Sequence, residues 1–505
     1  MTRFSGLLGC VFAALALAGA AQGGLAVGIT EDAGKSVDGG AAFFATMTDV
    51  GLTVNRVSVI WDPNQPGVIP GQAEIQAWLP QAQTAGVRIM FAVAPARPRD
   101  LTSSPAAPAQ FAAFLQDVAR TFPQVKDFVI GNEPNQPYFW QPQFDSAGRP
   151  LSGAAYEPVL AKAYDALKAV DPTINVIGVG LSPRGNDNPT APNNVSRSPV
   201  RFLHDVGVAY RASGRTKPLM DELAYHPYPS SNKDALLKGY SWPNAGVANL
   251  DRIKQAVWDA FHGTAQTPFA DTGVKRFGKP LMFELDEVGW QVAIPPGLAG
   301  FYFGTETTPV TDETTQAQTY SDLIRVLECD PSVRSLNLFH LMDEPDLARW
   351  QSGLVRADGS HRPSYDTVKQ TIAQTKGTCQ DVQTAWVHNP KVVLPFAAWG
   401  SRRVFPRSRK QWSFLAGAGE EAVFRAGIFK AGTKKSVIAR SLARGRPKPV
   451  ASAIGTIKAT GRVVSFPKRK LKPGRYVFAI RLAATMNPQR VSVLFRPVFR
   501  VGAKR

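Results

Sequence analysis

Between residues 25 and 375, short apolar runs alternate with longer segments whose apolar positions recur every three or four residues. The first pattern predicts buried strands and the second amphipathic helices. The strand-like runs are Leu25 to Thr30, Arg56 to Trp61, Val87 to Val93, Asp127 to Gly131, Ile174 to Val179, Glu222 to His226, Leu281 to Val288 and Ser335 to Leu341. Helical periodicity fills the gaps at 41–50, 73–85, 108–123, 156–170, 200–213, 250–261 and 315–327, and a stretch at 364–374 closes the series. Gly51 and Gly86 stand where the first two helices should stop. Strands that are apolar nearly throughout, each followed by a helix, pair in parallel and are covered by their helices. Eight such units predict a (β/α)₈ barrel over residues 24–383. An open doubly wound sheet is the competing architecture, but Gly28-Ile29-Thr30-Glu31-Asp32-Ala33-Gly34 is no Gly-rich phosphate turn.

After Pro390 helical periodicity disappears. Short β-rich runs at 424–429, 436–439, 453–458, 463–466, 476–482 and 491–499 alternate with turns rich in Gly, Pro and Lys, which predicts a small antiparallel β-sandwich over 412–505 behind a linker at 384–411. Leu471-Lys472-Pro473-Gly474-Arg475-Tyr476 resembles the turn before the penultimate strand of bacterial immunoglobulin-like modules.

Charge sharpens that division. The chain of 505 residues carries 58 Lys and Arg against 39 Asp and Glu, a formal charge of +19. From Lys391 onward there are 27 basic and 2 acidic residues, so the excess belongs to the tail and the barrel segment is mildly acidic. Such a tail suits an anionic cell-wall polymer, nucleic acid or anionic lipid, and no nucleic-acid motif accompanies the charge. The other ending is apolar. Met1-Thr2-Arg3 precedes a run from Leu7 to Leu17 and the small residues Ala18-Gly19-Ala20, too short to span a bilayer; it predicts a secretory leader over residues 1–23 and a secreted protein. With Cys10 removed, Cys329 and Cys379 remain, which allows a single disulfide.

Chemistry concentrates at two strand ends. The run Asp127-Phe128-Val129-Ile130 stops on Gly131-Asn132-Glu133-Pro134, and because Pro134 has no N–H to give, the strand must end with Glu133 at its tip. A second tip, Leu285-Asp286-Glu287-Val288-Gly289-Trp290, presents Glu287 three units later. In a barrel both would converge on the cavity at the C-terminal ends of the strands. Glu284 rivals Glu287, but strand alternation points the two to opposite faces, and the terminal position before Gly289 favours Glu287. Arg56 and His226 stand at intermediate strand ends, and no Cys/His cluster suggests a metal. Aromatics gather after the strands, at Trp61, Tyr138-Phe139-Trp140, Tyr240, Trp242, Trp290 and Phe301-Tyr302-Phe303, where flat rings can stack on sugar faces.

These residues resemble a known pattern. Gly131-Asn132-Glu133-Pro134 is similar to the Asn-Glu-Pro acid/base motif of clan A glycoside hydrolases, and Glu287-Val288-Gly289-Trp290 to their nucleophile motif on strand seven. The resemblance runs from about Gly24 to Gln380 and excludes the tail. It implies a (β/α)₈ barrel that cleaves O-glycosidic bonds, with Glu133 as acid/base and Glu287 as nucleophile. It also implies that Arg56 pairs with the nucleophile, that Asn132 bonds the sugar 2-hydroxyl, and that His226 and Tyr228 flank the nucleophile. The family places a tryptophan near the end of strand eight; Phe339-His340 stand there instead, and His340 becomes the expected substrate contact.

The expectation is therefore a secreted, monomeric, retaining β-glycoside hydrolase that needs no cofactor or metal, whose carboxyls lie about 5 to 5.5 Å apart as retention requires. Substrate contacts are expected from Arg56, Asn132, His226, Tyr228, Trp61, Trp140, Trp290 and His340. The expected partners are a carbohydrate substrate and an anionic cell-wall polymer at the tail, with no specific nucleic acid and no transmembrane segment. The reading from another class is a non-catalytic carbohydrate-binding or cell-surface protein on the same barrel.

Overall fold

The computed structural model describes residues 24–270, 280–376, 409–459, 462–468, 470–495 and 498–502, together with 378, 393, 395–396 and 404–406. The leader read over residues 1–23 and Cys379 lie outside the described residues. Cys329 is disulfide-bonded.

Eight parallel strands close into a barrel: β1 (Ala26–Thr30), β2 (Val54–Trp61), β3 (Arg88–Pro95), β4 (Asp127–Ile130), β5 (Asn175–Leu181), β6 (Glu222–Tyr225), β7 (Phe283–Val288) and β8 (Val333–Phe339). Closure is made by β1 on β8, from Ala26 opposite Ser335 to Thr30 opposite Phe339. The covering helices are α1 (Ala41–Val50), α2 (Gln72–Thr84), α3 (Ala107–Thr121), α4 (Ser152–Val170), α5 (Pro199–Ser213), α6 (Leu250–Phe261), α7 (Glu313–Glu328) and α8 (Pro363–Thr375). The periodic positions are the buried ones. On α3, for example, Phe111, Phe114, Leu115, Val118 and Ala119 face the strands. Among the described residues no helix is long and apolar enough to cross a membrane.

The barrel interior is layered. Val54, Met90, Ala92, Val129, Ile177 and Ala224 form an apolar plug. At the N-terminal ends of the strands lies an ionic layer. There Arg88 binds both carboxylate oxygens of Glu284 at 3.1 Å and Arg334 reaches Glu222 at 2.6 Å, with Asp127 within 3.6 Å of both arginines. Three buried carboxylates face two guanidinium groups, and burial raises the Glu284 carboxyl to about 7 although Arg88 pulls it down. This layer closes the floor of the barrel, and the site lies above the plug.

The tail forms two facing sheets around one core. β9 (Pro395–Phe396), β11 (Ser413–Ala418) and β14 (Arg462–Ser465) make the smaller sheet. The larger contains β10 (Val404–Pro406), β12 (Ala422–Lys430), β13 (Ala451–Ile457), β15 (Gly474–Ala484), β16 (Val491–Phe495) and β17 (Phe499–Gly502). Part of the stretch read as linker is thus sheet, since β9 and β10 fall within 384–411. The run at 436–439, read as a strand, lies in helix α9 (Lys435–Arg444). Its apolar side chains Ile438 and Leu442 stand four apart, a helical spacing, and they pack on Phe429 and Ala479 of the larger sheet.

The tail's two acids both lie at its contact with the barrel. Arg490, itself buried, bridges Asp259 of α6 at 2.7 Å and Glu420 at 2.5 Å, and Glu421 takes Arg201 of α5 at 3.1 Å.

Candidate active site

The backbone at the β4 tip is unusual in ways that aim Glu133. Gly131 has φ 85° and Glu133 φ 38°, the second in a region that costs a non-glycine residue on the order of 1–3 kcal/mol. Its surroundings hold it there. The amide of Glu133 donates to the Gly180 carbonyl at 2.8 Å, and that carbonyl is brought forward by an irregularity in β5 between Val179 and Leu181, where Val179 also has positive φ. The buried Tyr156 hydroxyl donates to the Ile130 carbonyl at 2.5 Å and accepts from the Val179 amide at 3.0 Å, pinning both tips together.

Glu287 comes from β7, and here alternation fails. Glu284 contacts Arg88 on β3 and Ser335 on β8, so it faces the barrel interior, and Glu287 faces the same interior at the other end. The register of β7 on β8 shifts between Leu285 and Val288. The extra residue resets the side-chain phase, so two glutamates three apart share the interior. They do so at opposite ends, Glu284 in the floor and Glu287 in the mouth. Gly289 follows because a Cβ there would lie 2.8 Å from the Phe339 carbonyl.

Carboxylate oxygens of Glu133 and Glu287 lie within 4.8 Å of each other, both within that distance of a His226 ring nitrogen. His226 Nδ1 is 3.0 Å from Glu133 and 3.5 Å from Glu287, while Nε2 is 3.3 Å from Asp286. Arg56 completes the ring: Nη1 to Glu287 at 2.9 Å, Nε to Asp286 at 2.9 Å, and Nη2 donating to the Asn132 side-chain oxygen at 2.7 Å. The Tyr228 hydroxyl donates to Glu287 at 3.2 Å. Asn132, Glu133, Arg56, His226, Tyr228 and Glu287, singled out from the sequence, therefore stand together. Asp286 was not singled out, although its place beside Glu287 was visible. It is fully buried and holds Arg56 and His226 from behind.

Charge is set by this packing. Burial works against a charged His226, but Glu287 and Asp286 outweigh it and push the imidazole up to about 10. Burial alone would raise Asp286; His226 and then Arg56 bring it below the usual carboxylate range. Burial, with the charges of Glu287 and Glu133, keeps Tyr228 a phenol and so a donor. His226 is thus a fixed cation between acids. Because its folded value exceeds its unfolded value of about 6.5, its stabilisation is complete below that pH and is lost as pH rises through about 10. The advantage of the native protein over His226→Gln in urea midpoint should therefore be larger at pH 6 than at pH 10. A gap that widens with pH would contradict a charged His226.

Above these groups opens a cleft of about 1190 Å³, lined by Arg56, Asn132, Glu133, Tyr228 and Glu287 and by residues of the loops after the strands. Its aromatic walls are not all those expected. Tyr138 and Phe139 line it, but Trp61, Trp140 and Trp290 do not. They are buried against Phe111, Tyr156 and Tyr320, behind the strands and under the helices, so the three expected contacts are core residues. His340 does reach the cleft, with Nδ1 3.4 Å from Glu31 and its ring on Phe339. The ring that the sequence reading missed is Trp350. It comes from the loop between β8 and α8 and packs 5.2 Å from Phe339 and 5.0 Å from Tyr228 at the cleft wall. A buried pair between Arg362 and Asp343 anchors that loop.

Glu133, His226 and Glu287 are close enough to share a cation, as are Asp127, Glu222 and Glu284 in the floor. Neither set suits one. Arg56 and the imidazolium already neutralise the first, a protonated ring has no lone pair to offer, and Arg88 and Arg334 neutralise the second.

No family model matches the chain, and no curated protein matches it. Solved structures do. A family 39 glycoside hydrolase from Bacteroides cellulosilyticus WH2 is similar with 15% identity and a TM-score of 0.48, over 83% of this chain and 75% of that one. A glucosidase from Croceicoccus marinus is similar with 13% identity and a TM-score of 0.47, over 95% and 97%. A GH5_18 variant from Streptomyces cattleya in complex with Manb1-4GlcNAc is similar with 14% identity and a TM-score of 0.45, over 76% and 85%.

Proposed function

We propose that this protein is a secreted glycoside hydrolase that cleaves β-O-glycosidic bonds with retention of configuration. The observation that carries the proposal is the pair of carboxylates from the turn after β4 and the end of β7, with oxygens within 4.8 Å across one open cleft. Oxygens this close suit direct attack on the anomeric carbon, whereas inversion needs carboxyls about 6.5 to 9.5 Å apart for an intervening water. Glu287, paired with Arg56 and oriented by the Tyr228 hydroxyl, attacks. Glu133, hydrogen-bonded to His226, gives its proton to the leaving oxygen and then takes one from water. Asn132, fixed by Arg56, is placed to bond a sugar hydroxyl beside the reacting carbon. The basic tail holds the enzyme at an anionic cell-wall polymer.

The test is stereochemical. The enzyme is mixed with aryl β-glycosides of several sugars, and the first-formed anomer of whichever is cleaved is read by proton NMR before mutarotation. The β anomer is expected. The α anomer would refute retention, and no cleavage across xylo-, gluco-, manno- and galactosides would remove the hydrolase reading.

A further inference from the structure

We propose that the outer face of the tail's larger sheet, next to α9, is a binding site for an acidic polysaccharide of the polyuronate type. This rests on the polymer-binding part of the reading above and locates it. On β12 and β15 the core-facing residues include Phe424, Ala426, Ile428, Phe478, Ile480 and Leu482. Alternate residues face outward, and in that outer layer Arg425 stands directly opposite Arg481. Like charges opposite each other across a strand pair are destabilising unless something anionic lies over them. Among the described residues nothing does so: Glu420 and Glu421 are the tail's acids, both are taken by ion pairs at the barrel contact, and neither arginine reaches a carboxylate.

The neighbours extend the site. Ile454 lies beside Arg425 and Val493 beside Arg481, a row across four strands. Ile454 and Val423 are 67% and 43% exposed. One row further along, α9 covers the face, and its Lys435 ammonium lies 5.7 Å from the Phe495 ring. Cations and exposed aliphatics therefore lie in one strip crossing the strands. Carboxylates spaced along a sugar chain can pair with the guanidinium forks while the C–H faces of the rings rest on the aliphatics. Charge alone would equally suit nucleic acid. Single strands, however, are held by bases stacked on aromatic platforms, and among the described residues of the tail no exposed large hydrophobic side chain is aromatic.

The full-length protein is run in native gels containing polygalacturonate at physiological salt and compared with R425S/R481S, with R425K/R481K and with K468S/K472S, which removes the same charge from a turn elsewhere in the tail. Parallel gels carry duplex DNA or neutral dextran, and binding to phosphatidylglycerol vesicles is measured by sedimentation. Wild type should be retarded by polygalacturonate and not by dextran. R425S/R481S should bind at least tenfold more weakly, K468S/K472S within about twofold of wild type, and the lysine pair in between. R425S/R481S should melt no lower than wild type, because a repulsive pair has been removed. Hydrolysis of an aryl glycoside should be equal in all four proteins, so a failure of binding is distinct from a failure of the hydrolase reading. Equal losses in the two serine variants, no retardation of wild type, or tighter binding to DNA or vesicles than to polygalacturonate would overturn the proposal.

Discussion

Replacing Glu287 by Gln should lower kcat by at least about 10⁴-fold while leaving the melting temperature unchanged or raised. The amide keeps the shape of the side chain but cannot attack a carbon, and no other carboxylate stands at its place in the cleft. Asp286 is buried behind it between Arg56 and His226, and Glu284 lies in the floor below the apolar plug. The folding cost is small because Glu287 sits at the mouth of the barrel, where the lost charge leaves Arg56 still paired with Asp286. Initial rates on a cleaved aryl glycoside and a thermal melt, measured together, check both halves. Turnover within tenfold of wild type would remove Glu287 from the chemistry.

Arg56→Met should act on stability and activity at once. The guanidinium is 3% exposed and is shared by Asp286 and Glu287. Removing one partner of a buried pair leaves an uncompensated charge, at a cost of about 3–5 kcal/mol. His226 remains as the cation near both acids, which places the loss toward the lower end of that range. Activity should fall at least about 10²-fold as well, since Asn132 loses the donor that fixes its amide and Glu287 loses its closest cation. Arg56→Lys should recover part of the stability and little of the activity, because an ammonium cannot span Asp286, Glu287 and Asn132 together. Urea titration and steady-state rates on both variants check this; an Arg56→Met protein as stable as wild type would mean the acids find charge elsewhere.

The parts legible from sequence were those set by regular repetition. Eight apolar runs between eight periodic helices give the barrel, and Gly131-Asn132-Glu133-Pro134 gives a tip because proline ends a ladder. Departures from regularity were hidden. The preference for Glu287 over Glu284 pointed to the residue that the cleft contains, but the alternation behind it was undone by the register shift in β7, which only its pairing with β8 reveals. Trp61 and Trp290 stand near strand ends, yet one residue's difference in phase decides between cleft and core, and both went to the core, as did Trp140 from the loop after β4. Trp350 lies eleven residues past β8, and no local pattern says where such a loop folds back. In the tail, the short β-branched run after Gly432 and Lys434 reads locally as a strand, and only the four-residue spacing of Ile438 and Leu442 marks the helix.

The arrangement also explains why four acids tolerate one small volume. Glu31, Glu133, Asp286 and Glu287 are interleaved with His340, His226 and Arg56, so each acid has a basic neighbour on a different strand end or loop. Barrel closure is what brings those neighbours together.

The most direct test is to trap the attacking atom. The protein is incubated with the 2-deoxy-2-fluoro β-glycosyl fluoride of a sugar it cleaves, digested, and the modified peptide sequenced by mass spectrometry. A single sugar adduct on Glu287, absent from Glu287→Gln, is the predicted result; an adduct on Glu133 or Glu284, or time-dependent inactivation with no adduct on Glu287, would contradict the assignment.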